Sequence, residues 1–260
     1  MSKEGRSQAL EWALNLIQQY EFVVLDTETT GLGPEAQIVQ IAVIDHRGNP
    51  MIIQNIKPSV SIPASATAIH GITDVTVANA PLFEAVYPLL NTLLENRVVV
   101  AYNAAFDSRM VEQTCMIYDL PPINVASWEC AMEQFACFYG QWNDRYRGFR
   151  RQKLTTACTH LGIPAGNAHD ALGDAQMTLA LVRRMAELCQ EEVPPSAAES
   201  PRAPLPGQQF CVGQLVRHVR YGEGVVIGSN LHPNGEEVQV LFPGAIGQKT
   251  IFAEYLKPVE

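Results

Sequence analysis

The sequence predicts an α/β fold built on a mixed sheet, followed by a small all-β unit. Three observations carry this. Apolar segments of strand type come first and helix-length periodicity follows them up to about residue 190. A proline-rich stretch without periodicity then interrupts the pattern over residues 191–210. Short alternating β runs separated by glycine-containing turns occupy residues 211–260. These boundaries predict three parts: a main domain over 1–190, a linker over 191–210 and a β-barrel module over 211–260.

Within the main domain, Leu10, Ala13, Leu14 and Ile17 have helical spacing, which predicts an N-terminal helix over Ala9 to Tyr20. Phe22 to Leu25 is a β-favouring apolar run that ends in two acids and the turn residues Thr29-Thr30-Gly31. Gln37 to Ile44 is a second strand, Asp45 to Asn49 a turn and Met51 to Ile56 a third strand, so these three segments form an antiparallel meander. A helix over Leu82 to Leu94, a strand over Arg97 to Ala101 and a helix from about Asn103 to Tyr118 follow. Trp128 to Tyr139, Leu154 to Leu161 and Asp170 to Glu191 are read as three further helices.

Composition excludes several classes. At 260 residues and 47% hydrophobic content the chain can bury one sizeable core and a second, smaller one. No apolar run reaches the roughly 18 residues of a membrane span and the first residues lack an apolar signal core, so a cytoplasmic protein is expected. The six cysteines form no Cys-x-x-Cys pair and are expected to be reduced thiols in apolar segments. A net charge of −9 argues against coating nucleic acid by bulk electrostatics, so any polyanion must be gripped locally.

The chemistry is concentrated in acids. Asp26 and Glu28 lie two apart on a strand and face the same way, while Thr27 faces the other side. Two carboxylates at the end of a core strand call for a positive charge between them, and oxygen-only ligands favour Mg²⁺ or Mn²⁺. Asp107 falls in the first turn of a predicted helix, where the dipole favours an acid. His169 and Asp174 open the last helix of the domain. Five residues at about 100° set them roughly 140° apart, so both serve one site only if His169 lies in or before the first turn. Taken alone, each of these acids and the histidine also fits an ordinary solvated turn or helix start.

Together, Asp26-Thr27-Glu28-Thr29-Thr30-Gly31, Asn103-Ala104-Ala105-Phe106-Asp107 and His169-x-x-x-x-Asp174 closely resemble the three motifs of the DEDDh, or DnaQ-like, exonuclease family. The resemblance covers about Phe22 to Leu188, and Ile69-His70-Gly71-Ile72-Thr73 is similar to a segment common in bacterial members. It implies a ribonuclease H-like fold and two Mg²⁺ or Mn²⁺ ions held by Asp26, Glu28, Asp107 and Asp174. It also implies His169 as general base and release of nucleoside 5′-monophosphates from a 3′ end. Two ions can activate a water and stabilise the leaving oxygen, while a histidine takes the water's proton near neutral pH. The same resemblance implies that Thr27, Thr29 and Leu32 line the terminal nucleotide and that Phe106 walls the pocket. Tyr102, where many relatives carry histidine, departs from the pattern at a position that is not a ligand.

Arg145 to Lys153 is the one dense basic run, interleaved with aromatics, and Arg147, Arg150 and Arg151 are its candidates for guiding a single strand. A solvated loop is the plainer reading of the same run. Residues 213–259 resemble the Tudor-like, SH3-type module at the C-terminus of UvrD/PcrA-type helicases, which implies a protein partner, RNA polymerase first. The expected function is a 3′→5′ exonuclease on single-stranded ends, DNA rather than RNA, in DNA repair or proofreading. The alternatives are an exoribonuclease trimming RNA 3′ ends and a non-catalytic adaptor that tethers ends. An adaptor has no physical need of four clustered carboxylates.

Overall fold

The structure is a computed structural model, and it describes residues 3–19, 21–145, 147–164, 170–192, 209–211, 213–232, 235–242 and 247–259. The chain divides into two compact units, Met1–Cys189 and Gln190–Glu260. The first contains α1 (Lys3–Gln19), β1 (Phe22–Thr29), β2 (Ile38–Asp45), β3 (Pro50–Asn55), α2 (Ala64–His70), α3 (Asp74–Val77) and α4 (Phe83–Leu94). It continues with β4 (Val98–Ala101), α5 (Ala104–Ile117), β5 (Ser127–Cys130), α6 (Ala131–Tyr139), β6 (Trp142–Asn143), β7 (Gly148–Phe149), α7 (Leu154–His160) and α8 (Ala171–Glu192).

The sheet order is β3-β2-β1-β4-β5. β1, β2 and β3 pair antiparallel, as the meander predicts, while β4 runs parallel to β1 and β5 parallel to β4. Strand alternation divides the core into two layers. Phe22, Val24, Val100 and Tyr102 face a cluster built with α1, α6, α7 and α8. Val23, Leu25 and Val99 face the opposite cluster, built with α4 and α5. β1 is therefore apolar throughout its first half because it is covered on both faces.

One helix read from the sequence is corrected. Trp128 does not begin a helix: Ser127–Cys130 is the edge strand β5, and the helix starts at Ala131. Four residues are too few for periodicity to separate a helical turn from a strand, and pairing with β4 supplies the backbone partners. Two short helices, α2 and α3, fill the interval between β3 and α4 that carried no periodic signal. α3 is marked by a capping box, in which Thr73 and Thr76 satisfy each other's backbone N–H groups.

The second unit is a five-stranded antiparallel sheet of β8 (Leu215–His218), β9 (Gly222–His232), β10 (Gly235–Phe242), β11 (Gly247–Phe252) and β12 (Leu256–Pro258), ordered β11-β10-β9-β8-β12. Val216, Val226, Val238, Val240 and Phe242 form its core. Gly224 is required there, because a Cβ would lie 2.7 Å from the Val240 side chain. Among the described residues the sheet is open rather than a closed barrel, since β11 and the three-residue β12 stand at opposite ends of the order. The proposed linker lies outside the described residues over 193–208, and its first two positions, Glu191 and Glu192, belong to α8. Among the described residues no helix is long and apolar enough to cross a membrane.

Candidate active site

The end of β1 delivers Asp26 and Glu28 to the face that Phe22 and Val24 share with α8. Asp174, in the first turn of α8, meets them there. One carboxylate oxygen from each of Asp26, Glu28 and Asp174 lies within 4.8 Å of the others. The start of α8 is held to the sheet by Gln40, which lies opposite Glu28 on β2. The Gln40 Oε1 accepts from the Ala171 backbone N–H at 3.0 Å, and its Nε2 donates to Asn55 Oδ1 at 3.0 Å. One of the unpaired N–H groups of the helix start is thereby satisfied and the first turn, with Asp174, is placed.

Asp107 arrives from the other layer. It lies in the first turn of α5, is 3% exposed and accepts a 2.8 Å hydrogen bond at Oδ1 from the Thr27 hydroxyl. Burial and like charge act together on this group of acids. The Asp26 carboxyl is pushed well above its usual range by burial, then by Asp107, Asp174, Glu28 and Asp170. Burial, followed by Asp174, Asp107 and Asp170, raises Glu28 to about 7. Burial also raises Asp107 to about 7, against the opposing hydrogen bond from Thr27. Among the described residues, the charges that raise Asp26 and Glu28 are those of other carboxylates. A compact, oxygen-only donor set whose members repel one another fits a hard divalent cation.

The other expected residues are placed as follows. His169 lies outside the described residues; α8 begins at Ala171, beyond it. The side chains of Thr27 and Thr29 are buried, with the Thr27 hydroxyl engaged by Asp107 and that of Thr29 donating to the Gly31 carbonyl at 2.8 Å. Leu32 stands 74% exposed. Phe106 is half-buried, with the Arg109 guanidinium 5.5 Å from its ring centroid. Arg147, Arg150 and Arg151 are exposed, and Arg151 pairs with Glu133 at 2.6 Å.

Three residues escaped the sequence reading. Gln40 is the first. It was detectable as a polar residue inside an apolar strand, which signals a buried partner. Arg109 donates to the Leu32 carbonyl at 3.2 Å and so ties α5 to the loop after β1. His70 was noticed only as part of a segment. Its Nδ1 accepts from the Ile72 N–H at 3.0 Å, so in the neutral ring Nε2 carries the proton and faces the Thr29 carbonyl at 3.2 Å.

Residues 23–182 match the RNase_T family of exonucleases, and the chain belongs to that family. It is a hydrolytic exonuclease. An uncharacterized exonuclease of Escherichia phage 186 is 40% identical over 172 residues, which cover 64% of this chain and 88% of the phage protein. The DNA polymerase III subunit epsilon of Treponema pallidum is 26% identical, over 67% of this chain and 80% of that protein. A DNA polymerase III subunit epsilon-like protein of Rhodobacter capsulatus is 31% identical, and the match covers 67% of this chain but 25% of that protein. Among solved structures, the nuclease domain of 3′hExo, a DEDDh family member bound to rAMP, has a TM-score of 0.50 at 20% identity, over 66% of this chain and 96% of that chain. That likeness shows a shared ribonuclease H-like fold.

Proposed function

We propose that the chain is a 3′→5′ exonuclease dependent on two Mg²⁺ or Mn²⁺ ions, releasing nucleoside 5′-monophosphates from single-stranded ends, DNA before RNA. The observation that carries this reading is the meeting of Asp26, Glu28 and Asp174 within 4.8 Å, with Asp107 one hydrogen bond away through Thr27. Asp26, Glu28, Asp107 and Asp174 would hold the ions, which when bound supply Lewis-acid activation of water and stabilisation of the leaving 3′ oxygen. His169, by resemblance, takes the proton of the attacking water at a ring nitrogen. Leu32, exposed on the loop that Arg109 secures, meets the terminal base, with Phe106 as a wall and the backbone of Thr27 and Thr29 beneath the nucleotide. Arg147, Arg150 and Arg151 guide the strand by phosphate contacts. Similarity to a DNA polymerase III subunit epsilon and to an epsilon-like protein supports DNA as substrate, and repair or proofreading is the setting we propose.

The division into an exonuclease domain over 1–190, a linker over 191–210 and a Tudor-like all-β module over 211–260 belongs to the same proposal. The second unit supplies none of the acids. It serves as a recruitment module for a protein partner, with RNA polymerase the first to test. Its mixed-sign surface, with Arg217 paired to Glu223, suits a protein more than a polyanion.

The test is a product ladder from 3′-labelled and 5′-labelled DNA and RNA oligonucleotides with and without Mg²⁺. Mononucleotides from the 3′ end, formed faster on DNA and only with a divalent ion, are expected. Faster trimming of RNA would replace the substrate assignment, and shortening from the 5′ end would overturn the polarity.

A further inference from the structure

We propose that the hairpin of β6 and β7 is a base-stacking platform for the strand upstream of the 3′ terminus, with Trp142 as the ring that receives a base. This rests on the reading of the chain as a single-strand exonuclease and adds a site to it. Trp142 is 53% exposed and is the largest of the exposed hydrophobic side chains among the described residues, with an apolar face open to a flat partner. Its ring packs edge-to-face on Phe149 across the hairpin, at 5.3 Å between centroids and 86° between planes. The contact holds the indole in one place while half of it stays open. Beside it is a cavity of about 630 Å³ lined by Asn143, Gly148, Phe149, Arg150 and Arg151, within the size range of small-molecule sites.

Charge selects the occupant. Residues 145–153 hold five cations, Arg145, Arg147, Arg150, Arg151 and Lys153, and no acid, in a chain whose net charge is −9. All five are exposed. Exposed aromatic surface flanked by a run of cations, within a nuclease, matches the chemistry of a single strand, with phosphates on the cations and a base on the ring.

Position connects the platform to the acids. Tyr102 follows β4 directly, and the parallel register that sets Val24 beside Val100 brings Tyr102 level with Asp26. Val24, Val100 and Tyr102 belong to one cluster, so Asp26 and Tyr102 share a face of the sheet. The Tyr102 hydroxyl donates to the Gln152 carbonyl at 2.8 Å, and Arg151 pairs with Glu133 in the first turn of α6. At the far end of α6 the Arg150 N–H donates to the Gln141 carbonyl at 2.8 Å. The basic segment thus runs along α6 from the level of the acids to Trp142. Nine helical residues span about 13 Å, which about four nucleotides cover at a stacked spacing of about 3.4 Å. A strand held at the acids therefore reaches the indole only when it is longer than about four nucleotides.

The experiment uses the full chain with Trp142→Ala and Trp142→Phe. Binding of a 12-nucleotide oligodeoxythymidylate, a 12-nucleotide oligouridylate and their trinucleotides, all with phosphorothioate linkages that slow cleavage, is measured with Ca²⁺ present, so that a hard divalent ion holds the 3′ end at the acids. Trp142→Ala is expected to weaken binding of the preferred 12-mer by about 5- to 150-fold and of the trinucleotide by less than about 2-fold, while Trp142→Phe retains most of the affinity. With Mg²⁺ present, KM for the 12-mer should rise in Trp142→Ala while kcat holds. Unchanged 12-mer binding, or equal losses on both lengths, would overturn the platform. Failure of the wild type to digest any of the oligonucleotides would overturn the exonuclease reading instead, with the binding series still deciding the fate of Trp142.

Discussion

The Thr27 hydroxyl donates a 2.8 Å hydrogen bond to Asp107 Oδ1, joining the residue between the two strand acids to an acid on a helix of the opposite layer. Thr27 faces away from Asp26 and Glu28, so the bond draws Asp107 to the end of the strand from behind the sheet. Thr27→Val keeps the size and removes the donor. Because loss of a residue that orients a metal ligand typically costs about 10–100-fold, divalent-dependent digestion should fall by that factor, and Thr27→Ser should restore it. Wild-type activity in the valine variant would show that Asp107 is placed by α5 alone.

Removal of single acids tests the group directly. Asp26→Ala, Glu28→Ala, Asp107→Ala and Asp174→Ala should each abolish Mg²⁺-dependent digestion. Far-UV circular dichroism should be unchanged. In the absence of metal the Asp26, Glu28 and Asp174 variants should melt at or above the wild-type temperature, since a repelling, partly buried carboxylate has gone, whereas Asp107→Ala also strips the buried Thr27 hydroxyl of its acceptor and should gain less. Substantial turnover by the Asp26 or Glu28 variant would remove these residues from the site.

Stability without metal should depend on pH with a defined sign. Glu28 is raised from 4.5 to about 7 and Asp107 from 3.8 to about 7, so between these limits the folded state binds more protons than the unfolded one. Stability contributed by these groups is therefore present below about 4 and is lost as pH rises towards 7. Thermal melts in EDTA should show Tm falling across this window, with a shallower fall in Glu28→Gln. Addition of Mg²⁺ or Mn²⁺ should raise Tm more at pH 8 than at pH 5, because ionised carboxylates bind the cation and protonated ones do not. An equal increase at both pH values would mean that the ions bind elsewhere.

Gln40 offers a test of the helix start. Gln40→Ala leaves the Ala171 N–H without its acceptor and Asn55 without its donor. Turnover should fall about 10-fold or more through displacement of Asp174, whereas Gln40→Glu, which keeps an acceptor, should still cap the helix but add a further like charge beside Glu28. The expected order of Mg²⁺ affinity, read from the concentration needed for half-maximal digestion, is wild type above Gln40→Ala. Identical Mg²⁺ dependence in the two would confine Gln40 to packing.

The sequence by itself determined what local pattern and residue chemistry encode. An apolar run ending in Asp26-Thr27-Glu28 must put two carboxylates on one face of a covered strand, and hard oxygen donors call for a hard cation whatever the fold around them. The meander of β1, β2 and β3 was likewise legible, because alternation and turn residues are properties of neighbours along the chain. Long-range pairing decided the rest. Ser127–Cys130 is a strand because β4 lies beside it, Gln40 matters because α8 begins above it, and Asp107 joins the acids across the sheet through Thr27. The exposed Trp142 gains its meaning only when Tyr102 and Gln152 bring its hairpin onto the face of Asp26. Each of these relationships depends on which segments come to lie side by side, a free-energy balance of the whole core that no short window of residues contains.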